Sequence, residues 1–159
     1  MGKSGLLLHV CCAPCAAGCV ERLIAEDREV TLYFSNSNIA TEEEFARRLV
    51  SVEALARIFR LPLEVDPYDH AAWLERVAGL EAEPEKGARC PVCFGFSLER
   101  AARRAAELGV GFATTLTVSP HKSSRVIFEA GARWEHFEPY DFKKRDGFRR
   151  SRELARQYE

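Results

Sequence analysis

No stretch of this sequence is apolar over the roughly 20 residues that a membrane-spanning helix needs. None repeats, narrows to a few residue types or reads as a linker between domains. An excess of one charge is also missing. Lys and Arg number 23 against 24 Asp and Glu, for a net charge of −1. That excludes a protein that coats nucleic acid through its overall charge, although it permits a local basic patch. The opening MGKSGLLLHV lacks the longer apolar region and the small-residue cleavage site of a secretory signal. It runs straight into cysteines, and the expectation is a cytoplasmic protein with no membrane partner. With 47% apolar and 30% charged residues among 159, a disordered, collagen-like or mucin-like chain is excluded. The length predicts one domain spanning 1–159.

What the sequence does have is cysteine. The six lie at Cys11, Cys12, Cys15, Cys19, Cys90 and Cys93, in two tight groups rather than scattered as in a secreted disulfide framework. In a reducing compartment such grouping points to metal or redox chemistry. Thiolates hold soft or borderline metals, and four cysteines suit zinc or an iron–sulfur cluster. A Cys-x-x-Cys between a strand and a helix also imitates a thiol–disulfide exchanger, since the helix dipole stabilises thiolate. That reading leaves Cys11, Cys90 and Cys93 unexplained. Burial as a small hydrophobe suits Cys19 and fits the other five badly.

The spacing predicts alternating strands and helices. Gly5–Val10 reads as a buried strand, and the helix after Pro14 carries Val20, Leu23 and Ile24 on one face. Val30–Phe34 is a second strand. Thr41 and Glu44 form a capping box ahead of a helix that buries Phe45, Leu49, Val52, Ala56 and Phe59. Leu63–Val65 is a third strand, followed by a short helix around Ala71–Val77 and a surface loop over Glu81–Ala88. A helix follows Cys93 and stops at Gly109, and Phe112–Leu116 is a fourth strand. A helix from about Lys122 to Ala130 ends at Gly131. The fold class is therefore α/β, a three-layer, mostly parallel sheet covered on both faces.

In open parallel sheets ligands bind outside the carboxyl ends of the strands. Cys11, Cys12 and Cys15 follow the first strand, Asn36 and Asn38 the second, Tyr68 and Asp69 the third, and Ser119, Pro120, His121 and Lys122 the fourth. The expected active site is that edge, with Asn36, Asn38, Ser119, His121 and Lys122 as candidate substrate contacts. Asp69 and Asp141 are candidate oxygen ligands, which beside thiolates favour a second, less sulfur-loving iron; each is otherwise a turn or cap residue. His9 is a ligand, a donor or a satisfied core histidine. Trp73 and Trp134 read as packing. The tail from Asp141 sets Lys143, Lys144, Arg145, Arg149, Arg150, Arg152 and Arg156 against Asp141, Asp146, Glu153 and Glu159. With Phe142 and Phe148 interleaved, it suits an RNA backbone with unstacked bases, or else a solvated basic helix.

Four strings in order resemble one family. They are Leu8-His9-Val10-Cys11-Cys12-Ala13-Pro14-Cys15, the stretch from Glu81 through Arg89-Cys90-Pro91-Val92-Cys93-Phe94, Thr114-Thr115-Leu116-Thr117-Val118-Ser119-Pro120-His121-Lys122, and Asp141-Phe142-Lys143-Lys144-Arg145-Asp146-Gly147-Phe148. From about residue 6 onward the chain is similar to the QueH family of epoxyqueuosine reductases. The resemblance implies a Rossmann-like fold of the adenine-nucleotide-α-hydrolase-like (HUP) superfamily. It implies the two-electron deoxygenation of epoxyqueuosine to queuosine at the wobble position of tRNA, without cobalamin and with an electron donor it does not identify. It also implies a [4Fe-4S] cluster with an adjacent mononuclear iron. Carried over by motif position, Cys11, Cys12, Cys90 and Cys93 are the cluster ligands, and Cys15 with Asp69 or Asp141 stands at the second metal. The sequence departs from the family's pattern after the second strand. Ser35-Asn36-Ser37-Asn38 stands for the usual Tyr-Asn-Pro-Asn, and the sequence ends before the Tyr-Cys-Gly-Cys segment that family members carry beyond the equivalent of Tyr158.

Overall fold

Three consecutive leucines give the first strand its place. In a computed structural model, which describes residues 4–79, 89–119, 122–143 and 147–157 (backbone alone at 89–91, 147, 148, 151, 152 and 155), β1 (Ser4–His9) is one of the two inner strands. Side chains alternate along a strand, so Leu6 and Leu8 face one apolar cluster and Leu7 the other. A strand covered on both faces needs an unbroken apolar run rather than an alternating one. β2 (Arg28–Phe34) follows the same rule, with Val30, Leu32 and Phe34 on the first side and Tyr33 on the second.

β3 (Leu63–Val65) and β4 (Gly111–Thr114) complete a sheet of order β3-β2-β1-β4. All pairings are parallel, with Leu8 opposite both Leu32 and Ala113. The first cluster is closed by α1 (Ala13–Ala25) and α2 (Glu42–Phe59), the second by α4 (Arg89–Leu108) and α5 (Ser124–Gly131). Short α3 (His70–Arg76) leads toward α4, and α6 (Gly147–Gln157) packs on α1. This is the three-layer parallel architecture that the alternation of elements predicts.

Several boundaries differ from expectation for identifiable reasons. On α1, Val20 and Leu23 are buried but Ile24 is 39% exposed, because one further residue turns the helix about 100° off the apolar face. Thr41 accepts the backbone N–H of Glu44 at 3.1 Å, but the Glu44 carboxylate pairs with Arg47 and Arg48, so only half of the capping box forms. α4 begins at Arg89, earlier than expected after Cys93. Pro91 falls in the first turn, where its missing N–H would have had no intrahelical acceptor. Cys90 and Cys93 therefore share that turn three residues apart, on one side of the helix. β4 stops at Thr114, short of Leu116. The Thr114 hydroxyl accepts the N–H of Leu116 at 3.1 Å and turns Thr115–Val118 into a 3₁₀ helix. The loop expected over 81–88 lies outside the described residues.

The free edge of β4 is covered. Phe112 donates its N–H to the His136 carbonyl at 3.0 Å and accepts that of Glu138 at 2.8 Å, so 136–138 lies along the strand. Glu138 then receives a two-pronged ion pair from Arg28, at 2.7 and 2.9 Å. α5 ends at Gly131 as expected, but its cap is right-handed Ala132, and the return segment explains why the residue is glycine. A Cβ there would sit 2.6 Å from the Phe137 ring, which packs in turn on Phe112 and Phe128. Gly131→Ala should lower stability by about 1–3 kcal/mol despite alanine's helix preference, because the ring has nowhere to go. Urea unfolding followed by circular dichroism checks this, and a midpoint at or above that of the wild type would refute the packing account.

Candidate metal centre

The strand order reverses between β1 and β4, and the first group of cysteines leaves the sheet at that point. Past His9 the chain is still pinned. Val10 donates to the Tyr33 carbonyl at 2.9 Å, and its own carbonyl accepts the Asn36 side-chain amide at 2.8 Å. Cys11 follows, its N–H directed at Thr115 Oγ1 across the gap at 3.3 Å. Cys12 is the extended residue that precedes α1, Pro14 sets the first turn, and Cys15 closes it. The ligand atoms of Cys11, Cys12 and Cys15 consequently lie within 4.8 Å of one another, all three residues half-buried. Cys11 and Cys12 Sγ are 3.9 Å apart, near the ~3.8 Å that two thiolates reach on one tetrahedral ion at 2.3 Å metal–sulfur distances. No acidic residue stands in the first turn of α1, whose amino terminus faces the trio with its partial positive charge.

The three thiols do not share their protons evenly. Cys11 is held well below the ordinary thiol value by S–H groups of Cys12 and Cys15, with further help from the Thr115 hydroxyl. Cys12 is pushed up to about 11 by the neighbouring Cys11 sulfur, and Cys15 is raised further by both neighbours. Burial keeps the Cys19 thiol protonated, with Sγ on the Cys15 carbonyl at 3.4 Å, in keeping with its reading as a small buried side chain.

His9 lies directly beneath, 1% exposed, with both ring nitrogens bonded. Nε2 meets the Ser35 carbonyl at 2.9 Å, which can only accept, so Nε2 carries the proton. Nδ1 then accepts from the Thr114 hydroxyl at 2.9 Å. Burial lowers the pKa and favours the neutral ring. His9 is a satisfied core histidine.

The remaining expected residues separate into those that support the site and those that face solvent. Asn36 is buried and braces Val10, whereas Asn38 is exposed. Asp69 caps α3, its Oδ1 accepting the Ala72 N–H at 3.1 Å. Asp141 Oδ1 accepts the Ser124 hydroxyl at 3.2 Å and the Lys143 N–H at 3.1 Å. Neither carboxylate joins the cysteine group, and each retains its other oxygen outside these bonds. Lys143 is a tether: its ammonium donates to the Thr117 carbonyl at 2.9 Å and to Ser124 Oγ at 2.7 Å. Ser119 and Lys122 flank the loop beyond β4, both half-buried, and Cys93 is half-buried on α4. His121, Lys144 and the side chain of Cys90 lie outside the described residues.

Phe142 corrects the reading of the tail, being 1% exposed and stacked on Tyr140 with centroids 5.3 Å apart, so it offers no face to a base. α6 likewise has a core side, with Leu154 3% exposed and Arg150 bonded to Glu21 at 2.7 Å. Sequence reasoning missed the individual roles of Thr114 and Thr115. Their place at the end of a strand beside the cysteines was the available signal.

Comparison with known proteins gives a consistent answer. The family model described as "Epoxyqueuosine reductase QueH" matches residues 6–159. The epoxyqueuosine reductase QueH of Streptococcus pyogenes serotype M1 is 39% identical over 99% of this chain and 66% of its own length. That of Acinetobacter baylyi is 35% identical over 97% of this chain and 74% of its own. That of Haemophilus influenzae is 34% identical over 98% and 66%. This chain thus spans about two thirds of the length of the curated relatives it matches.

The unequal thiols predict a staged titration of the reduced, metal-free protein. As pH rises, one thiolate should form below the ordinary value of 9.0 and a second only near pH 11. The ultraviolet thiolate absorbance of the wild type, less that of Cys11→Ala, should contain the early step. A difference curve with no step below pH 9 would contradict the sharing described here.

Proposed function

The chain belongs to the epoxyqueuosine reductase QueH family, and from that premise we propose that it reduces epoxyqueuosine to queuosine in tRNA. The reaction takes up two electrons and two protons, breaks both carbon–oxygen bonds of the epoxide, leaves an alkene in the cyclopentane ring and releases water. The observation that carries the reading is the cysteine trio, three sulfur ligands within 4.8 Å at the strand-order reversal.

In this reading residues 1–159 act as one cytoplasmic unit. Cys11, Cys12, Cys90 and Cys93 hold a [4Fe-4S] cluster, and Cys15 with Asp69 or Asp141 holds a neighbouring iron. By donor type the residues fit, since thiolates select iron–sulfur clusters and a carboxylate oxygen suits a harder iron, and three of the sulfurs already converge while the two carboxylates stand outside that group. When bound, these groups supply electrons and a Lewis acid for the epoxide oxygen, without cobalamin. The protein's own part is orientation. Asn36 fixes the Val10 carbonyl, Pro14 fixes the first turn of α1, and the early start of α4 puts Cys90 and Cys93 on one side of a single turn. Exposed Asn38, with Ser119 and Lys122 around the strand ends, makes up the proposed tRNA-facing rim, and His121 and Lys144 are proposed as further tRNA contacts from the sequence alone. Lys143 supports that rim through its ammonium.

Protein purified without oxygen should contain about four or five irons and four sulfides per chain, and should reduce epoxyqueuosine-tRNA when given a chemical reductant. Zinc without sulfide in protein never exposed to air would leave a zinc-binding tRNA-binding protein. Reduction of protein disulfides by metal-free protein would leave a thioredoxin-like thiol exchanger. Of Asp69→Ala and Asp141→Ala, one should cost about ten- to a hundredfold in turnover, on the scale of metal-site substitutions. Full turnover in both would remove the oxygen ligand from the proposal.

A further inference from the structure

Thr114 and Thr115 stand side by side at the end of β4, fully out of contact with solvent at 1% and 0% exposure. The proton of each hydroxyl can be assigned by elimination. Thr114 Oγ1 accepts the Leu116 N–H and faces an unprotonated His9 Nδ1, so its proton goes to the ring. Thr115 Oγ1 receives the N–H of Cys11, which can only donate, at 3.3 Å. An oxygen that accepts there still has its own hydrogen to place, and Cys11 Sγ lies 3.6 Å away. The hydroxyl is fully buried, and among the described residues the Cys11 sulfur is the acceptor within its reach.

We propose that Thr115 is a positioning residue for the redox site: its hydroxyl donates to the Cys11 sulfur while its oxygen anchors the Cys11 backbone. Both contacts cross the gap between β1 and β4, so the sulfur is fixed from the neighbouring strand as well as by its own. A donor on a ligand sulfur draws off electron density, and hydrogen bonds to sulfur are one of the levers that set cluster potentials. The bound centre then accepts an electron more readily than it would over an apolar neighbour. The redox consequence rests on the reading given under Proposed function, whereas the hydrogen bond does not.

Thr115→Val keeps the shape and removes the hydroxyl, and Thr115→Ser keeps the hydroxyl. In protein reconstituted with iron and sulfide without oxygen and titrated with dithionite, Thr115→Val should have a lower midpoint potential than wild type, and Thr115→Ser should stay close to it. In protein loaded with cobalt(II) instead, the sulfur-to-metal charge-transfer band should move to longer wavelength in Thr115→Val, because an undonated sulfur is more easily oxidised, and should return in Thr115→Ser. A valine variant with the wild-type cobalt band and potential would overturn the proposal. If the chain takes up no iron and sulfide, the reductase reading fails and the cobalt band alone decides the hydroxyl.

Discussion

β1 runs between β2 and β4, both parallel to it, and that constraint organises the molecule. A parallel neighbour cannot be reached by a tight turn, so each connection crosses a face of the sheet. The chain leaves β1 through α1 on one face and returns to β4 from α4 on the other. At their carboxyl ends the two strands therefore have no connecting segment between them, the place where a parallel sheet offers a crevice to ligands. Both strand exits are built for that crevice. β1 gives way to Cys11-Cys12-Ala13-Pro14, and β4 to Thr114-Thr115 and a 3₁₀ turn.

Beneath the crevice the core is polar. His9, Ser35, Asn36, Ser37, Thr114, Thr115 and Thr117 are all buried. Burying such groups costs free energy unless each finds a partner, and here they bond to one another, to Cys11, to backbone or, for the Ser35 hydroxyl, to the Asp66 carboxylate at 3.0 Å. His9 joins Thr114 to Ser35, Asn36 holds Val10, Ser37 receives the N–H of Asp69, and Thr117 bonds the carbonyl of Tyr140. One layer thus links the ends of β1, β2 and β4 to the loop after β3 and to the 140–143 return. A directed network of this kind gives the cysteine backbone less freedom than an apolar floor would.

Much of this was legible in the sequence because it rests on local periodicity. The apolar runs of β1 and β2, the buried face of α2 and the cysteine grouping follow from residue order alone. So does the expectation that ligands gather at one edge. What failed to show depended on distant partners. Gly131 does end α5, but the reason it is glycine is Phe137, which occupies the space a side chain would need. Phe142 reads as a base-stacking ring until Tyr140 covers it, and Lys143 as a phosphate contact until Thr117 and Ser124 take its ammonium. Pro91 hid the true start of α4 because its effect depends on how many residues of helix precede it. Thr115 carried no signal of its own, since a threonine in a β-prone run is the ordinary case.

The electrostatics of the trio bear on which form of the protein the fold is built for. The influences that govern Cys11, Cys12 and Cys15 are chiefly the sulfurs themselves and burial, with the Thr115 hydroxyl acting on Cys11. Two thiolates about 4 Å apart repel by about 4 kcal/mol at an effective dielectric of 20. Three in one site would forfeit far more than the amino terminus of α1 returns. Without a cation, then, the site keeps one thiolate and solvates it with the other two S–H groups. A metal centre that replaces those protons turns mutual repulsion into shared attraction, so its binding must release protons and depend on pH. The same closeness that makes three thiolates untenable alone makes them a converging ligand set for a cation.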